Sequence, residues 1–309
     1  MFTILSQAFN RTARNWKMVL TVFILNLSLG LILATPLYNM LQTESQNSLE
    51  FEKLLTGFDF TVISDFLSKG RKSLRPFWLL SLALSVIYLI LNIFFAGGIL
   101  SQFTKRGSFK LDSFFKNSAQ HFGRFLLVFL IELVALLGVA IIAFVCMGIS
   151  LVASDGSTEP VQLAWLTPSL LLSGFLLTIV LNIGHYAKVI LFKNVSVNVW
   201  VGFWKAAGYI LYNFKTMRIY WAILIVAVAL ILIYLFIESA IGMTSAFKIG
   251  IMFIFQQIFI FCRVFVKIWM LSGSFEYLSL KPIAITTMPK PDSNAIRGTS
   301  DSDESKLSA

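Results

Sequence analysis

Charge is what this sequence lacks most. Charged residues make up 13% of its 309 positions, about half the ~25% of a typical soluble domain. So little charge cannot clothe a large water-exposed domain, and one is excluded. Two histidines and two cysteines leave no spaced set of metal ligands. Cys146 and Cys262 fall at depths that differ by about 20 Å at helical rise, beyond disulfide reach. No phosphate-cradling loop or dinucleotide glycine fingerprint occurs. No base stands beside a nucleophile, and no carboxylates are paired for hydrolysis. The expectation is therefore a protein without enzyme activity or cofactor.

What is present is apolar. Hydrophobic residues are 57% of the chain and mean hydropathy is +0.81. Runs at 18–41, 77–103, 125–153, 165–187, 220–237 and 249–270 are each long enough to cross about 30 Å of hydrocarbon as a helix. A bilayer core offers no water to backbone polar groups, so these segments must be helical. The first run is too long for the apolar region of a signal peptide and is expected to remain as a span. The expected fold is an all-α membrane protein with six transmembrane helices. Residues 1–280 are expected to form the polytopic domain, and 281–309, too polar to bury a core, a disordered cytoplasmic tail.

The net charge of +10 lies on alternate connections rather than in one stripe, which points to topology and not to nucleic acid. Arg11, Arg14 and Lys17 precede the first run. Lys105, Arg106, Lys110, Lys116 and Arg124 face Asp112 alone between the second and third. Lys188, Lys193, Lys205, Lys215 and Arg218 lie between the fourth and fifth, with no acid. On the other side Asp155 and Glu159 occupy one connection, and Lys248 is the charge of another. The outer loop 42–76 is balanced, with five bases and five acids. Positive-inside reasoning places both termini in the cytoplasm. Trp16, Trp78, Trp165, Trp200, Trp204, Trp221 and Trp269 mark run boundaries, where an indole keeps its N–H wet.

An internal pattern precedes each odd-numbered run. ILSQAFNRTARNWKMVL (4–20), DSFFKNSAQHFGRFLLV (112–128) and VGFWKAAGYILYNFKTM (201–217) align with Phe9, Phe115 and Trp204 in register. Ala13, Ala119 and Gly208 follow at four residues, and Trp16, Phe122 and Leu211 at seven, a single helical face. LNIFFAGGIL (91–100) is echoed by LNIGHYAKVI (181–190). The expectation is a threefold repeat of interfacial helix plus transmembrane hairpin, and repeats often bracket a central site. Mitochondrial carriers share length, charge and span number, but their Pro-x-acid-x-x-base motif is absent from the odd spans, and that family is rejected. The six-span outline and the stretch FFAGGILSQF…SFFKNSAQHFGRF resemble bacterial six-helix inner-membrane proteins of unknown function, including the membrane domain that accompanies some glycerophosphodiester phosphodiesterases. That resemblance implies the cytoplasmic membrane of a bacterium and no catalytic residue.

In the outer loop, Asn47 and Glu50 have capping-box spacing ahead of Phe51, Leu54, Leu55 and Phe58. Val62, Ile63, Phe66 and Leu67 form a second apolar set, so two short helices are expected there. Gly97–Gly98 is expected to let helices approach closely, and Gln256 and Gln257 to bond between helices.

Among residues at membrane depth Glu132 stands out, because a carboxylate there is costly and needs a partner. Arg263, His185 and Lys188 share its half of the bilayer, and Asn26, Asn92 and Asn182 lie at similar depth. In the repeat register Asn26 and Trp221 occupy the position of Glu132. Lys188, Lys267 and Arg263 also have stems long enough to snorkel. One role for this cluster is an interhelical clamp; another is a polar site open to the cytoplasm for an anion, a headgroup or a coupling proton. The leading functional reading is a non-enzymatic scaffold that organises lipids or partner membrane proteins in the bilayer. The alternative is a small-solute or lipid translocator working through the Glu132 cluster, and an intramembrane enzyme comes third.

Overall fold

A backbone without water can bond only to itself, and the six apolar runs are helical throughout. The computed structural model describes residues 1–45, 60, 61, 64, 71–105, 108–241 and 245–282. Among them lie α1 (Phe2–Arg14), α2 (Trp16–Ser45), α3 (Arg71–Thr104), α4 (Leu111–Ala153), α5 (Glu159–Lys193), α6 (Val199–Tyr212), α7 (Phe214–Ile241) and α8 (Ala246–Leu280). The described residues include no strand. Six of these helices are long and apolar enough to cross a membrane. The capping box and both apolar sets of the outer loop, with nearly all of the tail, fall outside the described residues.

The spans pair as antiparallel hairpins, α2 with α3, α4 with α5, and α7 with α8, and their basic ends converge. There α1 and α6 stand apart from the spans that follow. Each ends at an asparagine whose side-chain amide donates to the carbonyl four residues back, Asn15 to Arg11 (2.8 Å) and Asn213 to Tyr209 (3.0 Å). That bond competes with helix continuation and marks the break. Each asparagine carbonyl then accepts the first bond of the next helix, from Met18 (2.9 Å) and Thr216 (2.9 Å).

The middle connection behaves differently. Residues 112–124 contain no such break, so α4 runs on for 43 residues, about 65 Å. The threefold repeat is not confirmed: two units have a separate helix, and the sequence register sets Asn15 against Ile210 rather than Asn213. A looser likeness survives in how the returning spans end. Arg11 donates to the Phe103 carbonyl closing α3 (2.6 Å). Arg124 donates to Leu191 (2.9 Å), Asn194 (3.3 Å) and Val197 (2.6 Å) at and beyond the end of α5. Tyr209 donates to Lys281 after α8 (3.1 Å), and burial together with the neighbouring Tyr277 pushes its phenol up to about 12. Each unit thus supplies a donor to carbonyls that its own last helix leaves unsatisfied.

Packing is concentrated toward these basic ends. Met18, Leu100, Phe125, Val128, Ala187, Leu191 and Ile268 are buried there. Gly98 has Ser118 and Phe114 where a Cβ would stand, and Gly97 has the Asn117 carbonyl at 3.0 Å, the close approach expected of that pair. α1 is fastened along α8 by bonds from Trp269 Nε1 to Leu5 (3.2 Å) and Ser272 Oγ to Ala8 (3.1 Å).

The opposite half is open. Val86 to Ile90 of α3 are each 40–51% exposed, and five consecutive residues at about 100° apiece go round the whole helix. Phe253, Ile254, Phe255 and Gln256 of α8 are likewise exposed in succession. Contacts in this half are few, such as Ser150 Oγ to Ser169 Oγ (2.6 Å) and the stacked rings of Tyr234 and Phe259 (4.5 Å). Trp16, Trp78, Trp165, Trp200 and Trp204 are exposed; Trp221 and Trp269 instead donate to Thr178 and Leu5.

Replacing Arg124 with Ala removes three carbonyl contacts at once and is expected to lower stability in detergent by about 2 kcal/mol or more. Arg124→Lys, which keeps a charge but loses the fork, falls between the two; thermal unfolding of the three proteins tests the order.

Candidate anion-binding cavity

The apolar hairpins enclose a cavity of about 400 Å³ between α2, α3, α5 and α8. Asn26 of α2, Asn92 of α3, His185 and Lys188 of α5, and Arg263 of α8 all line it. Five of the seven residues expected to cluster therefore do so. Lys267 and Tyr88 join them. Measured along their helices, these side chains stand roughly 8 to 26 Å from the basic ends at helical rise.

Glu132 reaches the group from behind. It is 6% exposed on α4, and its Oε2 lies 3.3 Å from Lys188 Nζ. Its partner is thus Lys188 and not Arg263. The pair exists because Gly184 leaves room: a Cβ there would overlap the Glu132 carboxyl. Asn182, the seventh, is buried outside the cavity lining and donates from Nδ2 to the Met217 sulfur (3.2 Å). Three residues separate it from His185, which falls about 60° short of a full turn and sets it toward Met217 of α7.

Lys267 does not snorkel to the basic surface. Its ammonium bonds Asn92 Oδ1 and lies 5.7 Å from the Tyr88 ring centre. Arg263 lies over Phe259 at 5.8 Å. Among the described residues no carboxylate pairs with either. The i, i+4 spacing of Arg263 and Lys267 was the available signal, since it sets both on one face of α8. His185 Nδ1 is buried and has no hydrogen-bond partner. Gln257 Oε1 also lacks one, contrary to the expected interhelical bond.

The cavity does not open where the sequence placed its mouth. On the basic side Ile99, Ile268 and Leu271 floor it, and Leu100, Phe103 and Phe275 are buried behind them. Phe103 and Phe275 meet ring to ring at 5.8 Å. Away from the basic ends the same helices expose apolar side chains, among them Ile87 and Leu89 of α3 and Phe255 of α8. Hydrophobic burial closed the end where charge had seemed to promise access.

Chemically, three cations face one space, and a carboxylate stands behind one of them. The carboxylate neutralises Lys188. Arg263 and Lys267 remain, with amide and phenol donors beside them. Such a site favours an anion bearing several oxygens, and Arg263 can engage it in a bidentate way. Among the described residues no three His, Cys, Asp or Glu side chains converge as metal ligands would.

Six membrane-length helices, four of which line a cationic cavity, define an integral membrane protein with a candidate anion site. The chain matches no protein-family model, no curated protein and no solved structure.

Glu132→Gln strands Lys188 without its counter-charge and is expected to cost about 3 kcal/mol of stability. Gly184→Ala, which forces the carboxyl aside, should cost about 1–3 kcal/mol. Combining them should cost less than the sum, because both break one contact; denaturation of the four proteins in one detergent measures this.

Proposed function

We propose that this protein binds the charged head of an anionic amphiphile in the cavity and carries it between the two faces of the membrane. The observation supporting this reading is the pairing of two cations without a carboxylate among the described residues, Arg263 and Lys267, with the exposed apolar faces of α3 and α8 beyond them. A water-soluble anion would have to pass those apolar faces bare. An amphiphile enters with its tails in contact with the exposed faces of α3 and α8 while its head meets the cations. The amides of Asn26 and Asn92 and the Tyr88 phenol offer further bonds to its oxygens. Positive-inside reasoning sets the floored end of the cavity toward the cytoplasm.

The scaffold reading draws on a different surface. Trp200, Trp204, Tyr212 and Phe214 are each more than half exposed around α6 and the start of α7. Aromatic residues at such a level are suited to gripping lipid heads, which favours lipids over proteins as what this surface organises. It also fits a translocator, whose framework must be held at fixed depth. Catalysis draws support from no group in the cavity.

In proteoliposomes, head-quenchable fluorescent phosphatidylglycerol should exchange between leaflets faster with the protein than without it. Arg263→Met combined with Lys267→Met should slow that exchange several-fold. Thermal stability should hold or rise, because unpaired charges have left a dry site. A phosphatidylcholine probe should show little effect of either change. An unaltered phosphatidylglycerol rate in the double variant would remove the cavity from the pathway.

A further inference from the structure

A second polar hollow lies at the basic ends, on the far side of the cavity floor. It measures about 1050 Å³ and is lined by α1 and by the basic-side ends of α2, α3 and α8. The two spaces are stacked along the same helices. On α3 the lining passes from Ile99 to Gln102, on α8 from Leu271 to Phe275, and on α2 from Val22 to Lys17. About one helical turn of apolar side chains separates them.

The charges of this hollow divide into two groups. Arg11 is built into the wall: it pairs with Glu276 at 2.5 Å, donates to the Phe103 carbonyl, and lies 5.0 Å from the Phe275 ring centre. Among the described residues Glu276 is the only carboxylate in the lining, and Arg11 neutralises it. Arg14, Lys17 and Lys105 then remain as cations without a carboxylate among the described residues. Asn10 and Gln7 of α1 add amide groups to the same lining. The wall is preformed, because α1 is fastened to α8 through Ser272 and Trp269. Trp16, 53% exposed, stands at its edge, where an indole marks the level of lipid heads.

A scatter of basic residues on a membrane protein's surface needs no ligand to explain it. This group differs in being concave, in having its one acid already neutralised, and in being held by a helix bonded to its neighbour. We infer that the hollow is a second binding site, for a phosphate group held by Arg14, Lys17 and Lys105. That phosphate belongs either to a lipid head in the adjoining leaflet or to a soluble phosphate. The site stands whether or not the deeper cavity binds an amphiphile.

Amine-reactive labelling read by mass spectrometry tests this lysine by lysine. The full-length protein is placed in phosphatidylcholine nanodiscs, alone, with inorganic phosphate, or with phosphatidylglycerol in the bilayer. Lys17 and Lys105 should label several-fold more slowly in one of the two supplemented samples, while Lys116 and Lys215, exposed on other helices of the basic side, change little. Protection by phosphatidylglycerol alone assigns a lipid head, and protection by inorganic phosphate assigns a soluble anion. Arg14→Gln, at an exposed position, should weaken the protection without shifting the unfolding temperature. The Arg263→Met, Lys267→Met variant should keep it, which separates this site from the cavity. Equal protection of all four lysines, or of none, would overturn the inference.

Discussion

A charged group in hydrocarbon has to be answered by another charge, by fixed dipoles or by water, and this constraint organises the protein. Three cations project into the cavity and one carboxylate serves them. Gly184 exists as a space for that carboxylate, and the Glu132–Lys188 pair joins α4 to α5 at the level of the cavity. The two cations of α8 take what neutral groups can offer, an amide oxygen and the faces of two aromatic rings. That is weaker compensation than an anion would give.

The second constraint concerns the backbone. A helix that ends near a membrane surface leaves carbonyls without donors, and here those of the returning spans are met from the basic side by Arg11, Arg124 and Tyr209. These contacts tie each short helix or helix extension to its own hairpin. They also explain why the molecule is well packed at one end and loose at the other. The fastened ends hold the large buried side chains. The other half has few polar contacts between hairpins and presents apolar surface all round to lipid.

The cavity lies where these two regimes meet. Its floor belongs to the packed half and its mouth to the loose one. A polar cluster set one turn deeper would have been sealed, and one set higher would have had no walls. Stacked on the other side of the floor, the basic hollow repeats the same arrangement, an ion pair built into the wall and surplus cations facing the space.

Sequence alone determined the solvent and the scaffold. Charge was too scarce for a soluble domain, apolar runs were of membrane length, and backbone chemistry then allows only helices, so the six spans were legible without coordinates. Five residues of the cluster were legible too, since polar groups at matching depth stand out against hydrocarbon. Direction was not. Residues 93–103 of α3 and 264–278 of α8 are apolar on several faces, and nothing in their order says which face meets protein and which meets lipid. Tertiary packing decided that Lys267 turns inward, that Asn182 turns away, that Lys188 and not Arg263 meets Glu132, and that the basic end is shut. The physical reason is that hydropathy records depth along a span, whereas the angle around the helix is set by neighbours that in lipid are no less apolar than the surroundings.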